Sequence, residues 1–353
     1  MLKNRINPAN GMEFGLYSLG DHIANPLTGE RLSAGERLRQ IIELAQLAED
    51  VGIDVFAVGE SHQSYFTTQA HTVVLGAIAQ ATKNIKLSSS ASVISVADPV
   101  RVYEEFATLD LISNGRAEIV AGRGSRVGAY DLFGVDLKDY EAIFEEKLQL
   151  LKQINDTTGA INWQGEFRPP LERAHILPQP AEGSLPLWRA VGGPPGSAIK
   201  AGYLGVPMML TTLGGPAQNF AVSVDAYYEA LERSGFNRDD FPLATASLFY
   251  VGDDAQSAAE GMHPHLSGGF QAIRGSGYPY EQVANATKSA QDALMVGDSS
   301  MIIEKLLYQH ELFGMHRFMA QIDFGGVPIE KLKKNIEIIG RDILPAIKKY
   351  TKA

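Results

Sequence analysis

Three chemically competent side chains follow a short apolar run in the first quarter of the chain. The stretch VGESHQ, residues 58–63, places Glu60, Ser61 and His62 directly behind VFAV, a run typical of a buried strand. A histidine at a strand end can exchange a proton near neutral pH, whereas a serine offers only a hydroxyl. A solvated loop residue or a hydrogen-bonded side chain at the core rim would fit the same position, so the neighbouring motifs have to decide.

The stretch AGRGSR, residues 121–126, has the composition of an anion-binding turn. Arg123 stands between two glycines immediately after an apolar run. Glycine lets backbone N–H groups approach an anion, and a guanidinium offers forked donors to a phosphate. A tight turn with a solvated arginine would have the same composition.

A second stretch of this kind is AVGGPPGS, residues 190–197. It combines Gly192 and Gly193 with Ser197 near a helix start, where unpaired N–H groups and the helix dipole favour a phosphate. A Gly/Pro turn with a serine cap is the structural alternative. The two stretches together predict one phosphate site between them, with GGFQAIRGSG, residues 268–277, as the rival location.

The run SSSAS, residues 88–92, has no side chain large enough to fill the space beside it. A flat group could lie against such a surface. The same small residues could instead make room for bulky neighbours such as Met208 and Met209.

Composition excludes several kinds of chemistry. The 353 residues include no cysteine, which rules out disulfides and thiolate catalysis, and the net charge of −10 disfavours nucleic acid and anionic membranes as partners. The histidine spacings, with His263 two residues from His265 and His62 nine from His71, match no metal-binding motif. MLKNRINPAN lacks a signal peptide's apolar region, and no apolar run reaches the roughly 18 residues of a membrane span, so we expect a cytoplasmic protein without metal.

Strand-like and helix-like patterns alternate along the whole chain. Eight apolar runs, from EFGLYSL to HRFMAQIDF, are each followed by a helical region, and Asp98 with Pro99 marks one helix start. This alternation predicts an α/β protein, a single (β/α)8 TIM barrel over residues 1–353. Residues 252–300 would be an insertion between strands 7 and 8 that contains a glycine-rich loop and serves as an active-site lid.

The motifs together resemble those of the bacterial luciferase-like flavin-dependent monooxygenases. The resemblance covers essentially the whole chain and rests on VGESH, SSSASV, EFATLDLISNGRAEIVAGRGS, AVGGPPGSAIKAGYLGVPM and QIDFGG in this order. It implies a barrel that binds reduced FMN and uses O2 to oxidise an aldehyde or another small organic molecule. It also implies a separate flavin reductase as a transient partner and a homodimer or higher homo-oligomer.

Site residues carry over from the resemblance position by position. The family's phosphate-binding arginine falls on Arg123, and its phosphate loop falls on Gly192, Gly193 and Ser197. The family's non-prolyl cis peptide under the flavin ring falls on the bond from Ser90 to Ala91.

The catalytic stretch departs from the family pattern. The family has Glu-His-His where this chain has Glu60, Ser61 and His62, so the first family histidine, the catalytic one in luciferase, is Ser61 here. We expect His62, with Ser61 beside it, to act in catalysis and light emission to be absent. A deazaflavin-dependent oxidoreductase of the same fold and a non-catalytic flavin-binding protein are the alternatives.

Overall fold

A computed structural model describes residues 1–124 and 128–353 of the chain. Its strands, in chain order, are β1 Glu13–Ser18, β2 Val55–Val58, β3 Lys86–Ser89, β4 Ser92–Val93, β5 Ala117–Gly122, β6 Ile161–Trp163, β7 Leu171–Ala174, β8 Leu187–Val191, β9 Met208–Thr211, β10 Leu243–Val251, β11 Met295–Gly297 and β12 Arg317–Gln321.

The helices surround these strands. They are α1 Ala34–Asp50, α2 His71–Ala81, α3 Pro99–Ile112, α4 Gly128–Phe133, α5 Tyr140–Asp156, α6 Pro195–Leu204, α7 Gln218–Arg233, α8 Ala255–Arg274, α9 Tyr280–Ala286, α10 Ser299–Phe313, α11 Ile329–Ile338 and α12 Leu344–Tyr350, with a π-helical turn, Ile339–Ile343, joining the last two. Single 3₁₀ turns lie at Lys3–Arg5, Pro8–Asn10, Leu137–Asp139 and Arg238–Asp240.

Eight parallel strands of the described chain close into a barrel. Around the barrel the order is β1, β2, β3, β5, β8, β9, β10 and β12, and β12 pairs back onto β1. Helices lie between consecutive strands, as the alternation of apolar patterns predicts. The predicted (β/α)8 barrel is confirmed.

The inside of the barrel is packed with side chains. Tyr17, Val55, Trp188, Met209 and Met319 belong to an inner apolar cluster, because side chains alternate between the two faces of each strand. The opposite faces of the strands bury their side chains against the helices in a larger cluster. The barrel is therefore a core with its open sites at the ends.

A buried ion network closes the N-terminal end of the barrel. The fully buried guanidinium of Arg317 donates to Glu13 at 2.6 Å and to Glu118 at 2.5 Å, and it lies 4.9 Å from the Trp188 ring. Two carboxylates raise the pKa of Arg317 although burial opposes its charge. Removing one partner of such a network leaves an uncompensated buried charge, so this end supports stability.

Local signals in the sequence set several helix starts. The Asp98 side chain accepts from the N–H of Val100 at 2.9 Å, with Pro99 as the first residue of α3, as predicted. Ser33 and Glu36 form a reciprocal capping box at the start of α1.

Two regions differ from the sequence-based expectation. The connector before β8 contains an unpredicted antiparallel hairpin, β6 with β7. The prediction of a glycine-rich loop is wrong for residues 268–274, because these residues, including Gly268 and Gly269, lie inside α8. A Cβ on Gly269 would sit 2.5 Å from the Phe324 ring, so this glycine allows close helix packing, and Gly275, with φ of 73°, ends the helix.

Candidate functional site at the barrel mouth

The four motifs singled out from the sequence meet at one end of the barrel. VGESHQ follows β2, SSSAS spans the end of β3, AGRGSR follows β5 and AVGGPPGS follows β8. All of these strands are parallel, so their C-terminal ends open on the same face. Ser125 and Arg126, the last two residues of AGRGSR, lie outside the described residues.

Glu60 connects His62 to the strand beside it. One carboxylate oxygen, Oε1, lies 2.7 Å from His62 Nε2, and the other accepts from the N–H of Val93 at 2.7 Å. The side chains of Glu60 and His62 are about nine-tenths buried. The His62 ring also packs edge-on against Phe133, with centroids 4.9 Å apart. Since an ionised carboxylate only accepts hydrogen bonds, this contact orients the imidazole with N–H at Nε2 and leaves Nδ1 as the acceptor of a neutral ring.

Ser61 does not take the place of a second histidine. Its buried hydroxyl donates to Oε1 of Gln63 at 2.7 Å. The predicted pair of Ser61 and His62 is thus split between two hydrogen-bond partners, Gln63 for the serine and Glu60 for the histidine.

His71 is a second histidine of this network that sequence reasoning considered only as a metal ligand. Its Nε2 lies 2.7 Å from the Ser92 hydroxyl and its Nδ1 lies 3.9 Å from Glu60. Burial lowers the pKa of His71 to about 4, more than the Glu60 carboxylate raises it. His71 is therefore neutral at pH 7 and supports the Glu60 side of the mouth without carrying charge.

The bend after β3 brings backbone groups to the mouth. The peptide bond from Ser90 to Ala91 is cis, as the family resemblance implied, and both residues are half-buried. The carbonyl of Ala91 accepts from the N–H of Glu60 at 3.0 Å. A Cβ on Gly122 would lie 2.8 Å from the Ala91 methyl, so the glycine lets the bend approach β5.

Arg123, at the other side of the mouth, has only loose partners among the described residues. Its Nη1 lies 3.4 Å from the Tyr140 hydroxyl and 4.0 Å from Glu141, and its side chain is 29% exposed. The hydroxyl of Tyr130 donates to the Arg123 carbonyl and holds the backbone of the turn. The guanidinium consequently keeps donors available for an anion.

The turn after β8 is exposed to solvent on one side and held by hydrogen bonds on the other. Gly192 and Gly193 are exposed, and a Cβ on Gly192 would meet nothing within 4 Å. Below the turn, the buried Arg189 donates to the Ser197 hydroxyl at 3.2 Å and to both oxygens of Glu145 at 2.6 and 2.7 Å. Helix α6 starts here without a side-chain cap, which leaves its first N–H groups free of side-chain acceptors among the described residues.

A chain of ion pairs joins the two anion-competent turns. Lys200 on α6 donates to Glu141 at 2.6 Å and lies 3.6 Å from Glu145. Glu141 in turn lies near Arg123, and Glu145 binds the arginine that holds Ser197. The structure thus places Arg123 and Ser197 on one rim, connected through α5 and α6.

A buried acidic cluster between β1 and β12 escaped the sequence analysis. Ser18 donates to Asp323 at 2.5 Å, Arg37 pairs with Asp323, and the N–H of Gly325 donates to Asp21. Burial raises the pKa of Asp21 to about 6, with the Asp323 carboxylate acting in the same direction. Asp323 and Gly325 lie in the QIDFGG motif, but their contacts with Ser18, Asp21 and Arg37 could not be predicted because these residues come from opposite ends of the chain.

The described residues contain neither a candidate metal centre nor a membrane-spanning helix. No group of three or more His, Cys, Asp or Glu side chains is placed to hold a metal ion. Within residues 1–124 and 128–353, no helix has both the length and the apolar character needed to cross a membrane.

A model of the luciferase-like monooxygenase family matches residues 12–314. The chain belongs to this family. A similar curated relative is the oxygenase component of a flavin-dependent trigonelline monooxygenase from Acinetobacter baylyi, which is 24% identical over 95% of each chain. An uncharacterised protein of Sinorhizobium fredii, y4vJ, is 24% identical over 96% of this chain and 98% of its own.

Solved structures show the same fold at low identity. Monooxygenase RslO1 from Streptomyces bottropensis has a TM-score of 0.82 at 20% identity and covers 95% of this chain and 99% of its own. The oxygenating constituent of 3,6-diketocamphane monooxygenase from Pseudomonas putida, solved with FMN, has a TM-score of 0.75 at 17% identity, covering 95% and 98%. An F420-dependent secondary alcohol dehydrogenase has a TM-score of 0.73 at 18% identity, covering 96% and 99%.

Proposed function

We propose that this family member is an FMN-dependent monooxygenase that uses reduced FMN and O2 to oxidise a small organic substrate, an aldehyde or a similar molecule, without light emission. The observation that carries the proposal is the arrangement at the barrel mouth. His62, oriented by Glu60, and the cationic rim that contains Arg123 follow the C-terminal ends of strands at the same end of the barrel. A separate flavin reductase would supply the reduced cofactor, since one relative is named as the oxygenase component of its enzyme.

The cationic rim has the donors that an FMN phosphate needs. Arg123 would contribute its loosely held guanidinium, and Gly192 and Gly193 would let backbone N–H groups approach the anion. Ser197 would keep its hydroxyl within reach because Arg189 holds it from below. These residues fit a phosphate on geometry and charge.

The bend at Ser90 and Ala91 is suited to a flat ring. Both side chains are small and half-buried, and β3 lies next to β5 in the barrel order, so the bend adjoins the turn that carries Arg123. Reduced FMN, when bound, supplies the electrons that activate O2.

His62 would accept and donate a proton at the mouth. With N–H of its Nε2 directed at Glu60, the ring can accept a proton at Nδ1, and the carboxylate stabilises the resulting imidazolium. Ser61 donates to Gln63, and the described part of the chain gives it no carboxylate partner comparable to Glu60.

The experiment that tests this proposal mixes the protein with chemically reduced FMN and air-saturated buffer, across a panel of aldehydes and ketones. Oxygen uptake coupled to a new oxidised product supports the proposal. Tight FMN binding with no turnover for any substrate would instead favour a non-catalytic flavin-binding protein. Turnover with a reduced deazaflavin and no oxygen requirement would favour the hydride-transfer alternative, in line with the similarity to an F420-dependent dehydrogenase.

A further inference from the structure

A small cavity lies under α8, across the mouth from Arg123. It is bounded by the C-terminal ends of β10 and β12, which stand opposite β3 and β5 in the barrel order. Its walls are mainly apolar, with Leu248, Met262, Leu266 and Phe324 among the lining residues. The volume of about 10 Å³ admits a single water-sized group.

His265 lines this cavity. The residue lies on α8, is 1% exposed, and its Nδ1 is 3.0 Å from the carbonyl oxygen of Gly325. A carbonyl only accepts, so Nδ1 carries the hydrogen and Nε2 has a free lone pair. Among residues 1–124 and 128–353 no hydrogen-bond partner reaches that Nε2. Burial lowers the pKa of His265, which keeps the ring neutral.

Gln321 lines the same cavity and carries an amide nitrogen that can donate hydrogen bonds. It is 4% exposed and follows Arg317 and Met319 at alternate positions of β12, both of which face into the barrel. The described part of the chain offers no hydrogen-bond partner to its Nε2. A buried donor and a buried acceptor that both lack partners are uncommon, because each costs free energy unless a ligand or water satisfies it.

We propose that this cavity is a substrate subsite that binds a hydroxyl group, whose oxygen accepts from Gln321 Nε2 and whose hydrogen is donated to His265 Nε2. A hydroxyl meets both requirements with one heavy atom, which matches the volume. A carboxylate is larger and has no hydrogen to give to His265, and burying its charge would be costly. The carbon atoms next to the hydroxyl would lie outside the cavity, on the side of the barrel mouth.

The identification of the bound molecule as the substrate rests on the proposed function. Its position across the mouth from Arg123 and from the bend at Ser90 would direct the rest of the substrate toward the proposed flavin site. The substrate class it selects is a small apolar molecule that carries a hydroxyl besides the group that is oxidised.

The test measures binding of 1-hexanol, 1-fluorohexane and hexanoate to the flavin-free protein by ligand-observed NMR. We expect 1-hexanol to bind at least about tenfold more tightly than either analogue, since a site built for a hydroxyl rejects the molecule that lacks it. Gln321→Leu and His265→Phe should each remove this preference. Gln309→Leu is the matched control, because Gln309 is also buried with an unpartnered amide in the described chain but lies outside the cavity.

Circular dichroism shows whether each variant is folded. If Gln321→Leu is unfolded, Gln321→Met replaces it, and if His265→Phe is unfolded, His265→Asn replaces it. Equal binding of the three probes to the wild type, or an unchanged preference in folded cavity variants, overturns the subsite and leaves the cavity to water. The binding test requires neither flavin nor oxygen, so its outcome is independent of oxygenase activity. Selective hexanol binding by a protein that shows no oxygenase turnover would therefore disprove only the proposed function.

Discussion

Arg123→Ala should weaken FMN binding about ten- to a hundredfold and leave the barrel folded. A charge-assisted hydrogen bond to a phosphate contributes about 1.5–3 kcal/mol, which converts to that range of affinity. The folded protein loses little, because the contacts of the guanidinium with described residues are long: 3.4 Å to the Tyr140 hydroxyl, 4.0 Å to Glu141 and 5.4 Å to the centre of the Tyr140 ring. Partly exposed contacts of this kind are worth roughly 0–1 kcal/mol.

The assay is a titration of FMN followed by flavin fluorescence, with thermal unfolding of each variant measured in parallel. Arg233→Ala is the matched control, since Arg233 also pairs with a glutamate but lies at the far end of α7. We expect the control to bind FMN like the wild type. An unchanged FMN dissociation constant in Arg123→Ala would refute the phosphate assignment, and the rival stretch at residues 268–277 would be tested next.

Three further predictions concern catalysis and stability. His62→Asn should lower oxygenation about 10²–10⁴-fold with FMN affinity nearly intact, because asparagine cannot exchange a proton near neutral pH. Steady-state oxygen uptake of this variant and of Ser61→His shows which of the two positions matters. Unchanged rates in both variants would show that residues 58–63 have a structural role only. Asp21→Asn should become more stable relative to the wild type as pH rises from 4 to 6, by about 3 kcal/mol at most in urea unfolding. The sign follows because the folded pKa of about 6 lies above the unfolded value of 3.8, so the wild type loses stability over that window. A flat difference between pH 4 and 6 would contradict the burial argument. Gln309→Leu should raise the free energy of unfolding by about 1–3 kcal/mol, since both polar atoms of this buried amide lack partners among the described residues, and a lower midpoint in urea would show that the amide has a role.

The barrel was predictable because its signals are local. Apolar runs of strand length alternate with helical stripes, and pairs such as Asp98 with Pro99 mark helix starts within a few residues. Parallel strands then require their C-terminal ends to share a face, which brings the four motifs together without further information. The hairpin of β6 and β7 was missed because its short strands are largely exposed and contain no apolar run.

The contacts that refine the site were not predictable, because they join distant parts of the chain. Asp21 meets Gly325, and Arg317 meets Glu13, through barrel closure alone. The stretch around Gly269 was predicted to be a loop because composition cannot distinguish a flexible glycine from one that a neighbouring ring requires. The proposed cofactor and catalytic roles of Ser61, His62 and the rim residues remain predictions, as do the reductase partner, the homo-oligomer and motion of the segment around α8 as a lid.

One measurement tests the central claim most directly: a single-turnover reaction of the protein with reduced FMN, ¹⁸O2 and a substrate identified from the panel, followed by mass spectrometry of the product. The account predicts one ¹⁸O atom in each product molecule, formation that requires reduced FMN, and a rate that falls in His62→Asn. A product free of ¹⁸O that forms anaerobically with a reduced deazaflavin would contradict it and assign the mouth to hydride transfer.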